Sequence, residues 1–202
     1  TDGYLNLQDL TVVPWADVTD PPDTQHYFES QIRGPDQPTP LWDRILATQL
    51  TYDNEDGTVN HSIVDLFEVM IGRLFYPIGK YDNWQVCPMV IGDANTGKST
   101  VADVVAAMFP KQTVGVITAS LEERFGLMNL HDKRLVIAPD MPTDIHKRLS
   151  ASDFQSMVSG DLISIARKHK PAIVKRWLAN MLWVGNVAPQ WPDSRGSVQR
   201  RM

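Results

Sequence analysis

Met89-Val90-Ile91-Gly92-Asp93-Ala94-Asn95-Thr96-Gly97-Lys98-Ser99-Thr100 decides the fold. An apolar, β-favouring run leads into the full spacing G-x-x-x-x-G-K-[ST]. Val101-Ala102-Asp103-Val104-Val105-Ala106-Ala107-Met108 then continues with helical periodicity. Strand, glycine loop and helix in this order form the context in which the spacing carries chemistry. Gly92 and Gly97 let the backbone wrap an anion, so that the N–H groups of Asp93, Ala94, Asn95 and Thr96 point inward. The helix N-terminus at Lys98, Ser99 and Thr100 adds unpaired donors and partial positive charge. Lys98 is placed to reach the β- and γ-phosphates, and the Ser99 hydroxyl to sit on magnesium. The stretch predicts a bound nucleoside triphosphate.

The chain around it has 202 residues, enough for one ample α/β domain and an appendage. Hydrophobic content of 43% and charged content of 21% are ordinary for a globular protein. Every apolar run is far shorter than a membrane span, and the opening residues are not expected to act as a signal peptide. The single cysteine, Cys87, lies in the apolar run before the loop and is expected to be a buried, inert thiol in a reducing compartment. Net charge is −5, which argues against a wholly basic nucleic-acid binder. It is unevenly spread: residues 1–132 carry 7 Lys and Arg against 19 Asp and Glu, and residues 133–202 carry 12 against 5. A basic final third on an acidic body predicts a polyanion met in one place, with a solvated basic face as the plain alternative.

Residues 1–61 read as a connector. Thr19-Asp20-Pro21-Pro22-Asp23 and Gly34-Pro35-Asp36-Gln37-Pro38-Thr39-Pro40 have linker composition, a short segment is expected near 4–10, and 41–50 reads as a helix. Asn54-Glu55-Asp56-Gly57 is a polar turn. From 62 to 75, Ile63, Leu66, Phe67, Met70 and Leu74 recur at helical spacing. A strand is expected over 84–91, and after the loop helix another over 113–117. A short helix follows over 119–125, and a buried strand over 133–138 ends at Pro139-Asp140. A helix over 152–158, strands over 162–166 and 172–174, and a core strand over 177–184 complete the pattern. Helices and strands alternating around the loop predict an α/β fold with a parallel sheet.

Phosphoryl chemistry needs a carboxylate for the metal, a polar group near the attacking water and positive charge for the transition state. Asp140 follows its strand at the carboxyl end, where open α/β sheets hold ligands. A turn aspartate between prolines is the plain alternative. Asn186 ends the last strand, where an uncharged amide can hold phosphate or water, or can simply be a turn residue. Arg195, Arg200 and Arg201 near the end are candidates for a cation lent to a neighbouring copy, or are surface groups. Arg167, Lys168, His169 and Lys170 fall between two short strands, so at a hairpin tip suited to a phosphodiester backbone.

Taken in order, Gly92-x-x-Asn95-Thr96-Gly97-Lys98-Ser99, the strand ending at Asp140, the 159–170 hairpin and the strand ending at Asn186 resemble the four signatures of superfamily 3 helicases, compact AAA+ ATPases of viruses, phages and plasmids. Asp82-Asn83-Trp84-Gln85 and Asn186-Val187-Ala188-Pro189 look most like the helicase part of phage, plasmid and large-DNA-virus primase–helicases. The resemblance covers about 62–202 and implies an AAA+-like P-loop fold, with 1–61 as the collar on the primase side. It implies ATP and Mg2+ as cofactors, single-stranded DNA as partner, a hexameric ring, an associated primase domain and no membrane. The site of action implied is the host cytoplasm or wherever the replicon is copied. By position, Lys98 and Ser99 bind phosphate and magnesium, Asp140 is the Walker B acid and Asn186 is sensor 1. Lys168 and His169 match the pore-hairpin tip, and Arg201 matches the arginine finger with Arg200 as the alternative. Met141 stands where an acid pair is commoner, which leaves the water-activating base open. The absent initial methionine and the stop at Met202 are read as marks of a fragment. An RNA helicase of the same superfamily, a P-loop kinase and a non-catalytic ATP-binding module are the rival readings.

Overall fold

In the computed structural model, residues 3–6, 9, 11–19, 37–118, 127–167, 169–192 and 196–202 are described. Their elements are β1 (Gly3–Leu5), β2 (Val12–Pro14), α1 (Pro40–Leu50), β3 (Tyr52–Asp53), β4 (Val59–Asn60), α2 (Ser62–Arg73), β5 (Met89–Ile91), α3 (Lys98–Ala107), β6 (Val114–Val116), β7 (Leu135–Ala138), α4 (Ala151–Ser159), β8 (Leu162–Arg167), β9 (Lys170–Arg176) and β10 (Asn180–Gly185). The helix expected over 119–125 lies outside the described residues.

Four strands form a parallel sheet in the order β5-β10-β7-β6. β10 is buried at all six positions and β7 at all four, so both read as continuous apolar runs. Their alternation sends successive side chains to opposite faces. Val136, Ala138, Met181 and Trp183 pack with Phe154 and Met157 of α4 and with Ile163 and Ile165 of β8. Leu135, Ile137, Leu182 and Val184 pack instead with Ile71, Leu74 and the α3 residues Ala102 and Val105. Each buried Val, Leu, Ile, Met or Phe among these contributes roughly 1.5–3 kcal/mol by leaving water. Phe154, Trp183 and Trp191 cluster with ring centroids 4.8–6.1 Å apart.

α2 differs from expectation in its facing. Ile63 and Leu66 are exposed, and the inward stripe is Phe67, Ile71 and Leu74. The helix has more apolar residues than one face can hold, so spacing alone selects a stripe turned partly outward. Before α2, the stretch read as irregular contains short strand pairs: β1 pairs with β2 and β3 with β4, both antiparallel, and Asn54-Glu55-Asp56-Gly57 supplies the second turn. The rings of Trp42 on α1 and Phe67 on α2 lie 6.4 Å apart. The strand expected over 84–91 shortens to β5, and that over 177–184 shifts to β10. Among the described residues, no helix is long and apolar enough to cross a membrane.

Candidate functional site

The loop after β5 turns on two left-handed residues, Asn95 at φ 64° and Gly97 at φ 84°. Glycine carries no penalty there, and asparagine tolerates the region better than most residues. Within the loop, Thr96 Oγ1 donates to the Asp93 carbonyl at 2.9 Å. Lys98 Nζ folds back to donate to the same carbonyl at 2.5 Å and lies 3.5 Å from Thr96 Oγ1. α3 starts at Lys98, and Val101 N–H closes its first turn on the Gly97 carbonyl at 3.0 Å. The preceding N–H groups at Lys98, Ser99 and Thr100 therefore have no partner within the helix. Asp93, Ala94, Asn95, Ser99 and Thr100 are exposed, and Gly92, Thr96, Gly97 and Lys98 half-buried. The result is an open cradle of donors at the carboxyl end of a strand, the geometry that favours an anion.

Sheet register brings the two other polar candidates to this edge. Gly92 N–H donates to the Gly185 carbonyl at 3.3 Å, and Met141 N–H donates to the Val184 carbonyl at 2.8 Å. The residues flanking these bonds are Asp140 and Asn186, both exposed. Because β10 lies between β5 and β7, the glycine loop and Asp140 sit two strand spacings apart, about 10 Å. The Ser99 hydroxyl and the Asp140 carboxylate are hard oxygen donors, a donor set that fits magnesium. Among the described residues no group of three or more His, Cys, Asp or Glu gathers to hold a metal ion.

The basic segment lies on a separate two-stranded sheet. Ser150 caps α4 by accepting from Asp153 N–H at 3.0 Å, and Gly160 ends it at φ 69°. β8 leaves from that end and returns as β9 after two residues. His169 has φ 58°, the left-handed conformation a two-residue hairpin demands. Ile163 and Ile165 fasten the hairpin to the core, while His169 and Lys170 are exposed. Arg167 is half-buried and its Nε donates to the Pro171 carbonyl at 2.9 Å. Lys168 lies outside the described residues.

At the C-terminal end, the two adjacent arginines are placed differently. Arg200 is exposed. Arg201 is buried in its own chain, with Nη1 on the Ser197 carbonyl at 2.8 Å and Nη2 on Gln85 Oε1 at 3.1 Å. Burial pulls its guanidinium below the ordinary arginine value, the charge of Arg200 adds to this, and Asp161 opposes it. Arg195 lies outside the described residues. Cys87 is buried as expected, and desolvation pushes its thiol far above the usual range.

A family model described as a family of unknown function, DUF5906, matches residues 90–201. The chain belongs to DUF5906. The DUF5906 match begins in β5 and runs through the glycine loop, Asp140, the hairpin and Asn186 to Arg201. No curated protein matches the chain. Among solved structures, an A form apo structure of the NrS-1 C-terminal region is similar at 17% identity and a TM-score of 0.53, covering 76% of this chain and 37% of that one. An apo structure of the NrS-1 C-terminal region (305–718) gives 17% identity and a TM-score of 0.53, covering 78% and 39%. At this identity the likeness is one of fold. This DUF5906 chain spans about two fifths of the length of those structures.

Three further residues, away from the glycine-loop end of the sheet, carry no sequence signal of their role. Gln85 accepts the buried Arg201, and Asn180 Nδ2 donates to the carbonyls of Leu74 and Tyr76 at 3.0 and 2.8 Å, tying the end of α2 to β10. Arg73 grips Asp82 through Nε and Nη2 at 2.9 and 3.0 Å and also donates to the Trp84 carbonyl. The Arg73 hydrogen bonds hold the Asp82 carboxyl below the usual carboxylate range.

Proposed function

We propose that this DUF5906 chain is the ATPase part of a DNA helicase of viral, phage or plasmid replication, working as a ring of copies on single-stranded DNA. The observation that carries the reading is the pair of backbone bonds, Gly92 to Gly185 and Met141 to Val184, which gather the glycine loop, Asp140 and Asn186 on one sheet edge. In this reading Lys98 and the loop N–H groups hold the triphosphate, and Asn186 orients the γ-phosphate or the attacking water. Ser99 and Asp140 would hold a magnesium ion, which would supply charge neutralisation at the phosphates. A cation from a neighbouring copy, drawn from the Arg200–Arg201 pair, completes each site. The basic hairpin, with His169 and Lys170 exposed, grips the strand through phosphate contacts, which carry no sequence preference. A primase domain is the expected companion.

ATP turnover of purified protein with and without single-stranded DNA tests the proposal, with oligomer mass measured in the same samples. Lys98→Ala should lower kcat by about a hundredfold or more. Stimulation by DNA at least matching that by RNA is expected; a response to RNA alone would move the reading to the RNA-helicase alternative. Turnover indifferent to either polymer would favour a P-loop kinase, for which a protruding basic hairpin has no use.

A further inference from the structure

One arginine stitches the C-terminal turn to the entry of the glycine-loop strand. Arg201 is only 8% exposed, yet its guanidinium meets neutral acceptors alone, the Ser197 carbonyl and Gln85 Oε1, and its Nε has no partner among the described residues. A guanidinium hydrogen-bonded only to neutral acceptors, with Asp161 acting on it through charge alone, is a costly way to fill space, since an apolar side chain of like volume is often as stable. Packing alone therefore does not account for it. The Arg201 backbone carbonyl accepts from Cys87 N–H at 2.7 Å, two residues before β5 begins. Val198 is buried in the core and Gln155 Nε2 donates to Ser197 Oγ at 2.9 Å, so the Gln199–Arg201 turn is fixed from three sides. Arg200, next along, is exposed, and among the described residues its guanidinium has no hydrogen-bond partner.

Resting on the ATPase reading above, we propose that Arg200 is the cation presented to a neighbouring copy's triphosphate, and that Arg201 with Gln85 is the positioning pair that aims it. Arg201 cannot enter a second molecule while its guanidinium holds Gln85 and Ser197. Its carbonyl bond to Cys87 also fastens the turn that serves one site to the strand that leads into its own. Gln85 thereby acquires a role in a reaction it never touches.

The test uses single-strand-stimulated ATP turnover of the full chain. Arg200→Ala should lower kcat by about a thousandfold with KM for ATP within about threefold and Tm unchanged. Gln85→Ala keeps both arginines, and should lower kcat by about tenfold at unchanged KM. Mixing either variant with Lys98→Ala should restore turnover. One partner then brings an intact glycine loop and the other a correctly aimed arginine, and loss of fold could not be repaired this way. An Arg200→Ala protein within about threefold of wild-type kcat, an unaffected Gln85→Ala, or mixtures without recovery would each overturn the assignment. Absence of turnover in the unmodified protein would overturn the ATPase reading itself, a result distinct from wild-type turnover with an indifferent Arg200→Ala.

Discussion

β9 and β10 follow one another with three residues between them, yet they meet opposite surroundings. β9 is exposed at six of its seven positions and β10 buried at all six. β10 is an interior strand of a parallel sheet, flanked by β5 and β7, so both faces and both edges are covered. Among the described residues β9 pairs only with β8, and it carries Lys170, Lys175, Arg176 and Pro171, which suit a strand at an edge. The chain thus separates its scaffold from its charge. A change in β10 acts through stability, and a change in β9 through whatever the hairpin meets.

The strongest attempt to break this contrast is Trp183→Ala. It should cost about 3–5 kcal/mol by removing a side chain that packs on both Phe154 and Trp191, measured by urea unfolding. A loss below about 1 kcal/mol would mean that β10 is not the structural wall. Asn180→Ala should cost about 2 kcal/mol, because the carbonyls of Leu74 and Tyr76 lose their donor inside the protein. On the other strand, Lys170→Ala should leave the unfolding midpoint unchanged. In a binding titration it should weaken single-strand affinity severalfold and reduce the salt slope by about one. Equal affinity would detach the hairpin from DNA. The smallest effect belongs to the Arg73–Asp82 clamp, away from both strands. Asp82 has a lower pKa folded than unfolded, so its contribution is present above the usual carboxylate range and is lost as pH falls through the folded value. Solvent screens the exposed side of the pair, so the Asp82 part of the stability gap between wild type and Arg73→Ala should stay at or below about 1 kcal/mol at pH 6 and fall away below about pH 4, while the Trp84 carbonyl bond leaves a remainder that does not change with pH.

The glycine loop, α3 and β7 are legible because each announces itself within a few residues: two glycines before a lysine, then apolar spacing, then an unbroken apolar run. The convergence of Asp140 and Asn186 is legible only as a rule about strand ends, because the strand order that makes them neighbours is not local information. Strand limits fail for a related reason. Trp177 and Ala179 are buried like strand residues, but Trp177 N–H bonds to Asp161 and Leu178 N–H to His131, outside the sheet. Cys87 looks like the middle of a strand, and its N–H goes to Arg201. β3 and β4 have two residues each, below any periodicity, and only the polar turn between them shows. The unequal placement of Arg200 and Arg201 has no sequence signal, because adjacent identical residues differ only in which way a short turn points them.

Cys87 has a practical consequence. It is the only sulfhydryl in the chain and it lies beneath the Arg201 bond, almost fully out of water and held protonated by its surroundings. Alkylating reagents attack the thiolate, so they must wait for this part of the molecule to open. The labelling rate becomes a built-in clock for local breathing at the foot of β5, read by mass spectrometry without altering a single residue.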